Sequence, residues 1–134
     1  MTKIEDLTDA ELDVLVAEKV MDWSRGPGGV SWFTKENNAV KDWFQVCAYV
    51  RTEYWWQPST NIACAFEVDK PEWEWRSDEL GSWYAGGWRL RLGIWDDGEY
   101  LADITILLDP ANKTAAYCRG RCIAALKACG VTEV

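Results

Sequence analysis

Apolar and polar positions recur with two different periods along this chain, and the changes of period divide it into elements. Thr8-Asp9-Ala10-Glu11 is a capping box, with Thr8 as N-cap and Glu11 reaching back to it. Leu12, Leu15, Val16, Val20 and Trp23 follow at helical spacing, with Lys19 among them, so a first helix is predicted to run to about Trp23 and to stop before Gly26-Pro27-Gly28-Gly29. Val30 to Phe33 reads as a short strand, and Trp43 to Arg51, rich in aromatic and β-branched residues, as a longer one. Gln57-Pro58-Ser59-Thr60 opens a second helix capped by Ser59 or Thr60, with Ile62, Ala63 and Phe66 on its inner face and Pro71 stopping it.

From Pro71 to Gly87 aromatic residues are scattered among charges and glycine, and the stretch reads as a loop or an irregular strand. A period of two then takes over. Trp88, Leu90, Leu92 and Ile94 face one way, Arg89, Arg91 and Trp95 the other. Asp96-Asp97-Gly98 is a hairpin turn, and Glu99 to Leu108 returns with Tyr100, Ala102, Ile104 and Ile106 on one side. Asp109-Pro110 starts a last helix, running to about Cys129 with Ala115, Cys118, Cys122, Ala125, Leu126 and Cys129 on one stripe and Gly130 as its C-terminal cap. The expected fold is one α+β domain over residues 1–134, an antiparallel sheet covered by three main helices and built from about four strands.

Composition sharpens this. Ten of the 134 residues are Trp and none is His. Trp supplies broad flat surface and one N–H donor. The lack of His removes the side chain most used for proton transfer near neutral pH and the commonest metal ligand. The balance leans toward binding over catalysis, with no metal and no cofactor expected. A net charge of −8 argues against DNA, RNA or an anionic membrane as partner, because phosphate neutralisation supplies most of that affinity. No apolar run approaches a membrane span, and Met1 to Glu11 lacks a signal-peptide core, so the chain is expected in the cytoplasm where it is made. The five Cys include no Cys-x-x-Cys pair and read as reduced, small buried residues.

Catalytic constellations are thin. Glu72 and Glu74, and Asp96 and Asp97, are paired carboxylates in segments that read as exposed, and no phosphate-cradling glycine loop is present. Two binding surfaces are stronger. Trp55 and Trp56 precede the helix start at Ser59, Thr60 and Asn61, where free N–H groups suit an anion while an aromatic ring stacks a base; Arg89 and Arg91 could add phosphate contacts. Trp73, Trp75 and Arg76, with Trp83 and Tyr84, interleave aromatics with charge in the manner of a protein interface. That surface makes a homo-oligomer an expectation.

Three segments carry a resemblance. Leu15-Val16-Ala17-Glu18-Lys19-Val20-Met21-Asp22-Trp23, Gln57-Pro58-Ser59-Thr60-Asn61-Ile62-Ala63 and Arg121-Cys122-Ile123-Ala124-Ala125-Leu126-Lys127-Ala128-Cys129-Gly130-Val131 together resemble the phage ABA-sandwich-domain family, small proteins of bacteriophage genomes. The resemblance implies a sheet sandwiched between helices, a phage origin and residence in the host bacterial cytoplasm; it implies no activity. Two expectations follow. One is a counter-defence protein that sequesters a nucleotide-derived immune signal without cleaving it, by analogy with small phage proteins that act so. The other is a module that inhibits a host protein through its Trp-rich surface.

Overall fold

The computed structural model describes residues 1–25, 32–33, 56–80, 88–108 and 111–134. The expected strand Trp43 to Arg51, the residues Trp55, Trp83 and Tyr84, the glycine-rich turn at 26–29 and the Asp109-Pro110 start lie outside the described residues.

The order is a 3-10 turn Ile4–Asp6, α1 Asp9–Lys19, β1 Ser24–Arg25, β2 Trp32–Phe33, α2 Ile62–Glu67, β3 Trp73–Leu80, β4 Trp88–Asp96, β5 Glu99–Leu108 and α3 Lys113–Ala128. This is the expected α+β class, with three helices and an antiparallel sheet. The main sheet has three strands in the order β3-β4-β5, and β1 and β2 form a separate two-stranded pair.

The hairpin turn forms as its residues dictate. Asp97 and Gly98 have φ of 49° and 79°, the two consecutive positive values of a type I′ turn. Ile94 pairs with Ala102 but Trp95 pairs with Tyr100, so β5 carries a bulge. The bulge overturns one expectation: Tyr100 lies not with Ala102, Ile104 and Ile106 but on the opposite face, edge-on to Trp95 at 5.5 Å between ring centroids.

The layers stack as sheet, α3, α1. Leu90, Leu92, Ile94, Ile106 and Leu108 of the sheet pack with Ala124 of α3. Cys122, Ile123, Ala125 and Leu126, elsewhere on α3, pack with Leu12, Val16 and Ala17 of α1, with Trp56, and with Cys64 and Val68 of the α2 region. As the middle layer, α3 is buried on every side from Gly120 to Leu126, not along one stripe, and Ala115 is exposed. Gly120 permits the close approach, since a Cβ there would overlap the side chain of Ile106. The chain ends close the α1 side, Thr2 and Val134 exchanging backbone hydrogen bonds of 2.8 Å.

Helix boundaries move for local reasons. The α1 capping box is present in full, but the helix ends at Lys19. There Val20 and Met21 both donate to the Val16 carbonyl and Asp22 turns to φ 58°. Asn61, not Ser59 or Thr60, caps α2 by accepting from Cys64 N at 3.2 Å. The α2 faces are the reverse of those expected: Cys64 and Ala65 are buried, whereas Ile62 and Phe66 are 39% and 60% exposed. α3 begins at Lys113 with Asn112 as its N-cap residue.

Candidate functional site

The residues expected to form a nucleotide site separate into two layers. Trp56 is only 1% exposed, and its Nε1 donates to the Asp13 carbonyl at 3.1 Å. Its ring meets Trp23 edge-on at 4.6 Å. Ser59 is buried too: its N–H donates to Asp13 Oδ1 at 2.8 Å and its hydroxyl to the Asp9 carbonyl at 3.3 Å. Neither side chain is open to a ligand. Asn61 is occupied as the α2 cap, and Thr60 is exposed in the turn before it. Arg89 and Arg91 project from the sheet face that α3 does not cover. The described residues therefore do not bring the expected stacking ring, helix start and arginines together.

Asp13 is the polar centre of the α1 joint and had no signal in the sequence beyond its place on an otherwise apolar helix face. Burial pushes its carboxyl up to about 6, against the hydrogen bonds from Ser59 that favour the charged form. Arg121 is the corresponding centre between α3 and α2. It is buried, donating from Nε to the Ala65 carbonyl at 2.7 Å and from Nη2 to the Val68 carbonyl at 3.2 Å. The guanidinium also lies 3.8 Å from the Trp75 ring centroid and 5.5 Å from that of Phe66. A positive fork over the last carbonyls of α2 suits the negative end of that helix.

Trp73 and Trp75 do emerge on one side of β3, as alternation requires. That side is the helix-covered one, where both rings are half-buried against the two core clusters and 6.0 Å apart. The Trp75 indole donates to Asp69 at 2.8 Å. The aromatic surface expected around them is therefore mostly packed inward, and only Arg76 of the described interface residues faces the other way.

That other face holds a different cluster. The pairing places Glu74, Arg76 and Asp78 of β3, Arg89, Arg91, Gly93 and Trp95 of β4, and Tyr100, Asp103, Thr105 and Leu107 of β5 on one surface. Trp95 lies across Gly93, where any Cβ would overlap its ring. Arg76 covers the same ring at 4.7 Å and is held in turn by Glu74 through bonds of 3.1 and 3.2 Å. Arg91 donates from Nε and Nη2 to Asp103 at 2.9 and 2.6 Å, and the Tyr100 hydroxyl bonds the same carboxyl. These donors hold the Asp103 carboxyl below its usual range. Sequence reading named Arg76 and Arg91 on separate surfaces and missed Trp95, Tyr100 and Asp103 as their neighbours in one cluster, although a strand glycine two residues before an outward Trp was a legible signal that the ring covers the gap.

A groove of about 400 Å³ runs beside β5, lined by Asp103, Ile104, Thr105 and Ile106 of the strand, Ala116, Arg119, Gly120, Ile123 and Lys127 of α3, and Glu5. Its cations are occupied within the molecule. Lys127 pairs with Glu5 at 3.0 Å, and Arg119 pairs with Asp9 at 2.7 Å while also donating to the Glu5 and Leu7 carbonyls.

Little among the described residues is arranged for bond-making chemistry. Cys118 and Cys122 are fully buried, and burial raises both thiols above their ordinary value, which disfavours the reactive thiolate. Among the described residues no group of three or more His, Cys, Asp and Glu could hold a metal ion, and no helix is long and apolar enough to cross a membrane. No protein-family model matches the chain, and neither a curated protein nor a solved structure is significantly similar to it.

Proposed function

We propose that this chain is a protein-binding module of phage origin, acting in the bacterial host by occupying a host protein through the outer face of its sheet. One observation carries the reading: the outer cluster of Arg76, Trp95, Tyr100, Arg91 and Asp103 is held in place by its own stacking and hydrogen bonds, with Arg76, Arg91 and Tyr100 exposed around the half-buried Trp95 and Asp103. An ordered aromatic flanked by guanidinium groups binds at low entropic cost, and Trp, Tyr and Arg are the residues that anchor interfaces. Three arginines share this face with three carboxylates on a chain whose net charge is −8, so it is locally neutral on an acidic molecule. Arg89 is exposed there with no acidic neighbour in register. The partner that fits offers an apolar centre bordered by carboxylates, which the guanidinium forks recognise.

Sequestration of a nucleotide signal ranks lower because Trp56 and Ser59 are committed to packing. Two measurements separate the readings. Purified host proteins retained by the native chain are titrated against it and against Trp95→Ala. The module reading expects at least about tenfold weaker binding by the variant at a temperature where it remains folded. Equal affinity for both would exclude this face. A thermal-shift panel of cyclic di- and trinucleotides, cyclic ADP-ribose isomers, NAD and ADP-ribose is expected to give no shift, and a concentration-dependent rise would restore the sequestration reading.

A further inference from the structure

We infer that the free edge of β5 is a self-association seam, at which two copies of this chain pair β5 against β5 about a two-fold axis and join their sheets into one of six strands. β5 is the edge of the sheet: it pairs with β4 on one side, and among the described residues nothing pairs with it on the other. Ten residues long, it contains neither Pro nor Lys, the usual devices that blunt an edge. Its unpaired N–H and C=O groups demand an extended backbone as occupant.

The groove states what side chains that occupant must carry. Its floor is Ile104, Ile106 and Ile123, the two strand residues packed down onto Gly120, so alternate residues of an added strand must be apolar and the others polar. β5 meets that requirement itself over 102–106, with Ala102, Ile104 and Ile106 inward and Asp103 and Thr105 outward. Antiparallel pairing of identical strands centred on Ile104 sets Asp103 of one copy against Thr105 of the other, both on the outer face, and Ala102 against Ile106 on the inner face. The two-fold axis stands upright on the sheet, so both α3 helices lie on the same side and the apolar strip of each groove faces that of the other.

Electrostatics permit the seam. Glu99 and Asp103 are the only charged residues in β5, and Asp103, the one at the centre, is already held by Arg91 on its own sheet. The central stretch therefore presents no uncompensated like charge to its copy, although each chain is acidic as a whole.

The test is sedimentation together with hydrogen exchange on the full chain, across roughly 1 to 100 µM. The expected result is a mass that moves from one chain toward two, with β5 amides gaining protection of about tenfold or more over the same range. Thr105→Glu supplies the positional control. Thr105 is exposed and faces Arg91 within its own sheet, so a carboxylate is tolerated there in the single chain. Across the seam it stands against Asp103 of the other copy and competes for the Arg91 that neutralises each, and the dissociation constant is expected to rise about tenfold. A chain that stays single throughout the range overturns the inference and leaves the edge to a foreign strand. A dimer whose β5 amides do not change, or one that Thr105→Glu leaves intact, places the contact elsewhere and overturns it equally. These measurements use the chain alone with no host protein present, so they stand or fall apart from the binding of one.

Discussion

Trp56 and Trp95 are the same residue put to opposite uses. Trp56 sits between α1 and α3 at 1% exposure with its indole N–H given to a backbone carbonyl, whereas Trp95 lies on the open sheet face across Gly93 with Arg76 over its ring. Arg121 and Arg91 repeat the contrast. The first is buried with its fork spent on the carbonyls that end α2; the second is exposed and paired with a carboxylate across one strand. The lesson is that residue type alone does not mark a surface. Buried aromatic and cationic groups such as Trp56 and Arg121 act as structure, while Arg76, Arg91 and Tyr100 on the outer sheet face keep part of their surface open to solvent.

The largest effect that would break this comparison is on folding stability. Trp56→Ala removes a fully buried ring, its contact with Trp23 and the donor to the Asp13 carbonyl. The expected cost is about 3–5 kcal/mol. Trp95→Ala is expected to cost less, about 1–2 kcal/mol, because the ring is half-buried and gives up only its contacts with Gly93, Tyr100 and Arg76. Urea unfolding of the two variants checks this. Equal losses would mean that Trp95 is structural and would remove the distinction between the two sides.

The β4–β5 hairpin was legible because both strands announced themselves twice, by alternation and by their shared turn, whereas β3 lay in a stretch that read as a loop or an irregular strand. Leu90, Leu92 and Ile94 are buried as their parity requires, and Asp97-Gly98 turns as its residues demand. One bulge sufficed to move Tyr100 to the other face, because a period of two has no memory of an inserted residue. The helices were legible in position but not in orientation. A six-residue helix has too few positions to reveal its buried side, and α2 turned Phe66 outward once Arg121 took its carbonyls. α3 concealed its role in a different way: Gly120, Arg121 and Ala124 are poor signals of a core, yet small residues are what a middle layer needs in order to lie close to both neighbours. The candidate site suffered most. Trp56 and Ser59 were rightly singled out as unusual, but what made them unusual was the buried carboxylate of Asp13, 46 positions away from Ser59 in the chain.

Second in size is Arg121→Met, which keeps much of the aliphatic volume but removes the donors to the Ala65 and Val68 carbonyls and the cation beside the Trp75 ring. The Val68 carbonyl then loses its donor and the Ala65 carbonyl keeps only the Val68 N–H, at an expected cost of about 2–3 kcal/mol with the lost ring contact included. Hydrogen exchange should show α2 opening ahead of the rest of the molecule, since Arg121 ties its C-terminal end to α3. Arg91→Met on the outer face should leave α2 exchange unchanged. If the two variants behave alike, the contrast between the buried and exposed arginines fails.

The smallest effect is the most specific to the helical side, because it depends on a single proton. Burial raises the Asp13 carboxyl from 3.8 to about 6 in the folded chain, while in the unfolded chain it returns to its ordinary value. Between those two values the folded state binds more protons than the unfolded one, so this group makes stability fall as pH rises from about 4 to about 6, with no further change above. Other carboxylates oppose it: Glu5, Glu11 and Asp103 are held below their usual range, and each loses stabilisation as pH falls. The Asp13 contribution is therefore read as a difference between the native chain and Asp13→Asn, in which the side-chain oxygen can still accept from Ser59 N–H. Urea unfolding at pH 5 and pH 7.5 should show the native chain losing ground to the variant at the higher pH by on the order of 1–2 kcal/mol, less than the full shift would give because solvent screens part of it. A difference that is flat across this range would mean that the Asp13 carboxylate is well solvated, and that the joint between α1 and Ser59 is as open to water as the outer face of the sheet.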